Sequence, residues 1–268
     1  MKVSIINIEN KEIGKKELPS QFNEDVRPDM IKRAVLSVQN SKRQAYGAYE
    51  HAGKRASVEV SKRRKDYRGC YGLGISRAPR KILSRMGTRM NWVGAFAPGT
   101  VGGRKAHPPK ANRVWEQKIN KKERRKAIRS AISATILNNM ITDRGHILPE
   151  SFPFIISREF EDIEKTKKVA EALEKIGFGK ELKRAAIKQV RAGKGKTRGR
   201  KYKKKAGPLI VVSKKCKLMQ SARNMPGIKI AEVKSINAEL LAPGTFPGRL
   251  TLWTDSAIEL LEKERLFY

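Results

Sequence analysis

The sequence predicts an α/β protein: a three-layer body with a mostly parallel sheet flanked by helices, plus a long irregular basic loop extending from the body. Two observations carry this reading. Short apolar runs at 3–8, 153–157, 208–213, 228–233 and 250–253 are separated by segments of helical period, the alternation that lays helices over both faces of a parallel sheet. The charge is also unevenly placed. Lys and Arg number 60 against 26 Asp and Glu, a net of +34. Residues 41–113 hold 18 of these cations and only Glu50, Glu59 and Asp66 as acids, and residues 191–205 hold nine cations and no acid.

The elements follow in order. VSIINI (3–8) is a short apolar run suited to a buried strand. In residues 27–39, Ile31, Ala34, Val35 and Val38 fall at i, i+3, i+4 and i+7, with Pro28 at a first helical position. The same spacing recurs through Ile128, Ala131, Ile132, Thr135 and Ile136 in a helix spanning 116–137. Its segment 120–130 puts cations on one side and apolar residues on the other, which suits a solvated face and an RNA face equally. PFIIS (153–157) reads as a strand, 159–177 as a helix ending near Gly177, and 181–190 as another helix. PLIVVS, IKIAEV and LTLW are strand-like. A last helix begins near Asp255, with Ser256 and Glu259 in capping-box spacing. The body therefore comprises 1–40 and 114–268, the loop 41–113, and a basic surface loop 191–205 lies within the body.

A 70-residue segment without clear secondary structure is either functional or disordered. Disordered segments are poor in aromatics, yet Tyr46, Tyr49, Tyr67, Tyr71, Trp92, Phe96 and Trp115 interleave here with arginines and glycines. Glycine lets backbone approach a phosphate, arginine forks onto phosphate oxygens, and aromatics stack on unpaired bases. This mixture predicts a loop embedded in RNA and ordered by it. The candidate RNA-binding residues are Lys42, Arg43, Lys54, Arg55, Arg63, Arg64, Arg68, Arg77, Arg80, Lys81, Arg85, Arg89, Trp92, Arg104, Lys105, His107, Lys110 and Arg113 in the loop. In the basic run they are Lys194, Lys196, Arg198, Arg200, Lys201, Lys203, Lys204 and Lys205. The stretch 87–110 shows neither a helical nor a strand period and reads as the returning arm, with Trp92 and Phe96 filling gaps against RNA and His107, Pro108 and Pro109 guiding the chain back.

Other chemistries find little support. No run approaches the roughly 18 apolar residues of a membrane span, and the first residues are too polar for a signal peptide, so the chain is expected in the cytosol without a membrane partner. Cys70 and Cys216 are far apart and read as reduced thiols rather than a disulfide or zinc site. GLGISR (72–77) lacks the third glycine and the leading strand of a dinucleotide fingerprint, and GKT (195–197) lacks the first P-loop glycine, its place being held by Val190. His51, His107 and His146 lie in separate contexts, so neither a metal cluster nor a nucleophile–base pair can be assembled from spacing. Glu159, Glu161, Asp162 and Glu164 suit the start of a helix, where they favour its dipole. No cofactor, metal or catalytic residue is expected. The alternative is an RNA-modifying or nucleotide-using enzyme with a basic capture loop, which would show a polar pocket at the carboxyl ends of the strands. A DNA-packaging protein fits the charge but not the loop aromatics.

YGLGISRAPR (71–80), GAFAPGTVGGRKAHPPK (94–110) and the Lys- and Arg-rich helix that follows resemble the universal large-subunit ribosomal protein four family. The GGRKAHPPK ending and the length resemble its archaeal and eukaryotic branch, and the absence of a long basic tail the archaeal type. The resemblance runs over nearly the whole chain. It implies a structural, non-enzymatic protein of the large ribosomal subunit that binds 23S-type rRNA, contacts neighbouring ribosomal proteins and supports early assembly. It implies no homo-oligomer. It also implies that the long loop lines a constriction of the exit tunnel, against the nascent polypeptide. The bacterial tip resembles Gly-Thr-Gly-x-x-Arg, and Gly72, Leu73, Gly74 and Arg77 occupy the matching positions, with a departure at Leu73.

Overall fold

A computed structural model describes residues 1–268. Its strands are Lys2–Ile6 (β1), Glu12–Glu17 (β2), Arg80–Met86 (β3), Arg89–Gly94 (β4), Phe154–Ile156 (β5), Lys188–Val190 (β6), Tyr202–Lys204 (β7), Leu209–Val212 (β8), Lys229–Glu232 (β9) and Thr251–Thr254 (β10). Its α-helices are Pro28–Ser41 (α1), Lys121–Ser133 (α2), Asn138–Asp143 (α3), Thr166–Lys175 (α4), Gly179–Ala186 (α5), Leu218–Ser221 (α6), Ala238–Leu241 (α7) and Asp255–Lys263 (α8). The chain divides into two compact units, Met1–Lys42 with Glu116–Tyr268, and Arg43–Trp115.

In the first unit six strands form one sheet in the order β2-β1-β5-β10-β8-β9. Every pairing is parallel except β1 with β2. Successive side chains point to opposite faces of a strand, and the core divides accordingly. Ile155, Leu209, Val211 and Trp253 join a cluster with Ile31, Val35, Ile128 and Ile132 of α1 and α2. Phe154, Ile156, Ile210, Val212 and Leu252 join a second cluster with Val169 and Leu173 of α4 and Phe178. The three layers follow from this split: near-continuous apolar strands need cover on both sides.

The helix over 27–39 is α1, with Arg27 as N-cap and Pro28 at its first position. The others are shorter than their periodicity suggested. The predicted helix 116–137 is limited to Lys121–Ser133, entering through Asn120 as N-cap. The segment 159–177 divides into a 3₁₀ turn over Arg158–Asp162 and α4, because Glu161 turns inward to bond the sheet ends. The segment 181–190 stops being helical at Ala186, and Lys188–Val190 instead pairs antiparallel with Tyr202–Lys204. Strand β2 was not foreseen; as a charged edge strand with no fully buried residue it lacks an apolar signal. At α8 the N-cap is Thr254 with no side-chain cap, and the Ser256 hydroxyl donates to Glu161 Oε1 at 2.5 Å rather than closing a capping box.

In the second unit β3 and β4 form an antiparallel hairpin, correcting the expectation of a loop without secondary structure. The turn falls at Gly87, with φ of 58°, a left-handed conformation that glycine adopts freely. The stretch 87–110 thus begins in mid-turn, and its first strand pairs with residues outside it. Met90 and Trp92 alternate inward along β4, a period of two hidden by the cations on both strands.

Candidate nucleic-acid interface

The Arg43–Trp115 unit has almost no apolar interior: Cys70 and Ala95 are its only buried apolar side chains. Leu73, Leu83, Met86, Val101 and Val114 are exposed. Burial at about 25 cal/mol per Å² is the main driving force for folding, and this unit uses little of it. Close backbone contacts set its path instead. Ala48 N donates to Pro109 O at 2.9 Å, so the outgoing and returning arms run side by side. Gly53 has φ of 75°, and a Cβ there would lie 2.5 Å from Arg104 N; a Cβ on Gly103 would lie 2.2 Å from Ala97 O.

A tight turn organises the most basic stretch. Ser61 N donates to Arg68 O at 3.0 Å, and Gly69 N to Asp66 O at 3.0 Å. The Asp66 carboxylate accepts from Ser61 Oγ at 2.6 Å and from Tyr67 N at 2.8 Å. This acid therefore fixes the turn, while Lys62, Arg63, Arg64 and Lys65 project into solvent.

Three aromatic rings each gather two arginines from separate parts of the unit. Arg43 lies 3.7 Å and Arg113 4.3 Å from the Trp115 ring centre. Arg77 lies 4.7 Å and Arg64 5.9 Å from Tyr71. Arg85 lies 5.4 Å and Arg68 5.5 Å from Tyr67. Arg55 adds a single contact to Tyr49 at 4.7 Å, and Arg80 one to Trp92 at 5.8 Å. The aromatics expected to stack on bases thus hold guanidinium planes in this structure. Each stack orients a fork of N–H donors without neutralising it. Among all the candidate residues, only Lys42, bonded to Glu239, and Arg68, bonded to Glu59, meet a carboxylate. Arg68, Arg80, Lys81, Trp92 and Arg104 are half-buried, and the remaining candidates are exposed.

The basic run of the first unit forms the tip and return of the β6–β7 hairpin. Arg191 N donates to Lys201 O at 2.8 Å and Arg200 N to Gly195 O at 3.1 Å. This folds the tip and leaves Lys194, Lys196, Arg198, Arg200 and Lys201 in solvent, as are Lys203, Lys204 and Lys205 beyond it. Helix α2 resolves differently. Arg129 bonds Glu24 at 2.8 Å, Lys126 lies 3.7 Å from the same carboxylate, and Arg125 donates to the Tyr268 carbonyl. These cations tie the body together, leaving Lys121, Lys122 and Arg124 without an acid.

Two buried carboxylates within the body are satisfied by neighbouring donors. Glu161, buried at the carboxyl ends of β8 and β10, accepts from Thr254 Oγ1 at 2.6 Å, Ser256 Oγ at 2.5 Å, Ser213 N at 3.1 Å and Ser213 Oγ at 3.0 Å. Burial works to raise its pKa, but these four donors hold it below the usual carboxylate value. It is an anchor for the strand ends rather than the free helix-start acid the sequence suggested. His146, expected to stand alone, is buried with its Nδ1 2.7 Å from Glu181 Oε1. Glu181 also accepts from Arg184 Nε at 2.7 Å and Ile147 N at 3.0 Å. Burial opposes ionisation of Glu181, yet these bonds bring its pKa down to about 2. Burial lowers that of His146 despite the adjacent carboxylate, so the ring is neutral at pH 7 and donates its Nδ1–H. Residues 72–77 and 195–197 lie in exposed turns, without the strand-to-helix setting a phosphate loop needs.

Compared with known proteins, the chain matches the Ribosomal protein L4/L1 family over residues 16–264. It is 47% identical over 269 residues to the large ribosomal subunit protein uL4 of Nanoarchaeum equitans, covering 100% of both chains. It is 43% identical over 262 residues to the uL4 of Archaeoglobus fulgidus, covering 97% of this chain and 98% of that one. The uL4 of Halobacterium salinarum is 40% identical over 262 residues, with the same coverage. With the family matched over nearly its whole length, and with relatives this similar spanning it from end to end, the chain belongs to the Ribosomal protein L4/L1 family.

Proposed function

We propose that this chain, a structural component of the large ribosomal subunit like its relatives, binds large-subunit rRNA through residues 43–115 and the 191–205 hairpin tip. In this reading it supports early subunit assembly, and its loop lines part of the exit tunnel against the nascent polypeptide. The observation that carries the reading is the gathering of arginines in pairs on Trp115, Tyr71 and Tyr67. Like charges drawn together with one carboxylate among six arginines, Glu59 on Arg68, on a unit with almost no interior, are stabilised when a polyanion lies against them. RNA presents phosphates at this density, together with irregular grooves that exposed Leu, Val and Met side chains can fill.

For the tunnel, support comes from the tip. Gly72 and Gly74 adopt φ of 78° and 66°, and the turn leaves Leu73 61% exposed. Arg77 is held on Tyr71 beside it. An exposed apolar residue next to an oriented cation suits a wall shared by RNA and a passing peptide.

The test is sedimentation of the native protein from its own cells, with the particles washed in high salt and then treated with ribonuclease. Co-migration with large subunits through the wash, and release only on RNA cleavage, is expected. Release by moderate salt would refute integral rRNA binding. Deleting 72–105 is expected to impair RNA binding and assembly, and unchanged particles would refute the role of the loop.

A further inference from the structure

Beside the β6–β7 hairpin the body carries an open cleft of about 840 Å³. Its wall includes Arg144, Lys203, Lys204 and Lys205, none of which lies within ion-pair distance of a carboxylate. Asp143 is the one acid in the wall. Phe246 stands at the cleft with 72% of its surface exposed, and Ile187 with 50%. A ring this exposed offers a flat apolar face to an incoming group. The backbone holds it there: Arg144 donates to the carbonyls of Pro243 and Phe246, fixing the loop that presents the ring. Gln189, opposite Lys203 in the hairpin register, adds an amide with both donors and an acceptor.

We propose that this cleft receives a single unpaired nucleotide of large-subunit rRNA. The base stacks on Phe246, its edge meets Gln189, and the flanking phosphates lie against Lys203, Lys205 and Arg144. The inference rests on the rRNA-binding reading above and adds the form of RNA recognised at this point. The chemistry matches part for part: a flat apolar ring, a hydrogen-bonding edge, and one negative charge per residue on either side. A duplex keeps its bases inside and cannot enter a cleft of this size. Lys203, Lys204 and Lys205 in the wall also belong to the acid-free run 191–205, along which a backbone can run.

The experiment uses the full-length chain and a full-length transcript of its own large-subunit rRNA, probed by nucleotide-resolved acylation of the 2′-hydroxyls and by equilibrium binding. Phe246 is exposed, so Phe246→Ala should fold as the parent does. It is expected to weaken binding about 5- to 150-fold, the range for losing one base–aromatic stack, and to restore reactivity at one unpaired nucleotide while other protections persist. A crosslinker at position 246 should join that same nucleotide. Unchanged affinity and footprint, alongside weakened binding by Arg77→Gln with Arg104→Gln, would overturn the cleft proposal and leave rRNA binding intact. Crosslinking of position 246 to an acidic protein segment instead of RNA would overturn it as well. Loss of all specific rRNA binding by the parent chain would overturn both readings.

Discussion

Arg43 and Trp115, the first and last residues of their unit, meet face to face: the guanidinium carbon lies 3.7 Å from the centre of the indole ring. Tyr46 stacks near the same indole at 5.6 Å with planes 17° apart. The ends of a 73-residue segment are thereby clasped by π contacts rather than by an apolar core. Exposed cation–π contacts stabilise by about 0.5–1 kcal/mol and aromatic pairs by about 0.5–1.5 kcal/mol. Trp115→Ala is therefore expected to speed amide exchange at Ala48, whose N–H bonds Pro109 O, by about tenfold, the equivalent of about 1.4 kcal/mol of local stability. Trp115→Phe should recover much of the protection. Equal exchange in parent and Trp115→Ala would show that the clasp holds nothing.

Gly103 offers a sharper steric test. A Cβ there would sit 2.2 Å from both Ala97 O and Thr100 Oγ1, closer than any real contact. Gly103→Ala must displace backbone in the returning arm. Gly74→Ala has open space around it and faces only its φ of 66°, a penalty of roughly 1–2 kcal/mol. Gly103→Ala is expected to weaken rRNA binding at least tenfold with the melting of the body unchanged. Gly74→Ala should have a several-fold smaller effect, and the reverse order would contradict the packing described.

The body was far more legible in the sequence than the interface. Runs such as LIVV at 209–212 are apolar at every position because helices cover both faces, and that pattern is local. Glu161 and His146 were not legible, because their partners lie 52 or more and 35 positions away and meet only through the sheet topology. The cation-rich character of 41–113 could be counted, but its arrangement could not. Arg77 reaches Tyr71 within a local turn and Arg68 adjoins Tyr67 in the chain, whereas Arg85 reaches Tyr67, and Arg64 reaches Tyr71, only through the folding of the unit. Phe246 carried no signal, since a lone aromatic between Thr245 and Pro247 reads equally as core.

The His146–Glu181 pair sets a pH dependence for the body. His146 titrates below its ordinary 6.5 in the folded chain because it is buried. As pH falls below 6.5 the unfolded chain takes up a proton that the fold refuses, so stability declines until the folded value is passed. Glu181 ionises at about 2 folded against 4.5 unfolded; its contribution is complete above 4.5 and disappears as pH drops toward 2. Urea unfolding between pH 7.5 and 3 should show both declines. His146→Gln should remove the slope nearest neutrality and keep the acid one. Persistence of the upper slope in His146→Gln would assign it to another group.

On the proposed rRNA-binding reading, ion pairing within the chain predicts which cations carry the salt dependence of that binding. Each phosphate contact that is lost lowers the slope of log affinity against log salt by about 0.7–0.9. Arg113 and Lys105 face no carboxylate, whereas Arg68 is bonded to Glu59. Arg113→Gln and Lys105→Gln should each reduce the slope by close to one such increment. Arg68→Gln removes a cation whose charge Glu59 already offsets, and it frees that acid to repel phosphate. Its expected signature is a loss of affinity larger than the change in slope. Glu59→Gln should do the opposite, raising affinity and steepening the slope as Arg68 is released toward RNA. Identical slopes for Arg68→Gln and Arg113→Gln would mean that the internal pair opens in the complex, so that Arg68 belongs with the free cations.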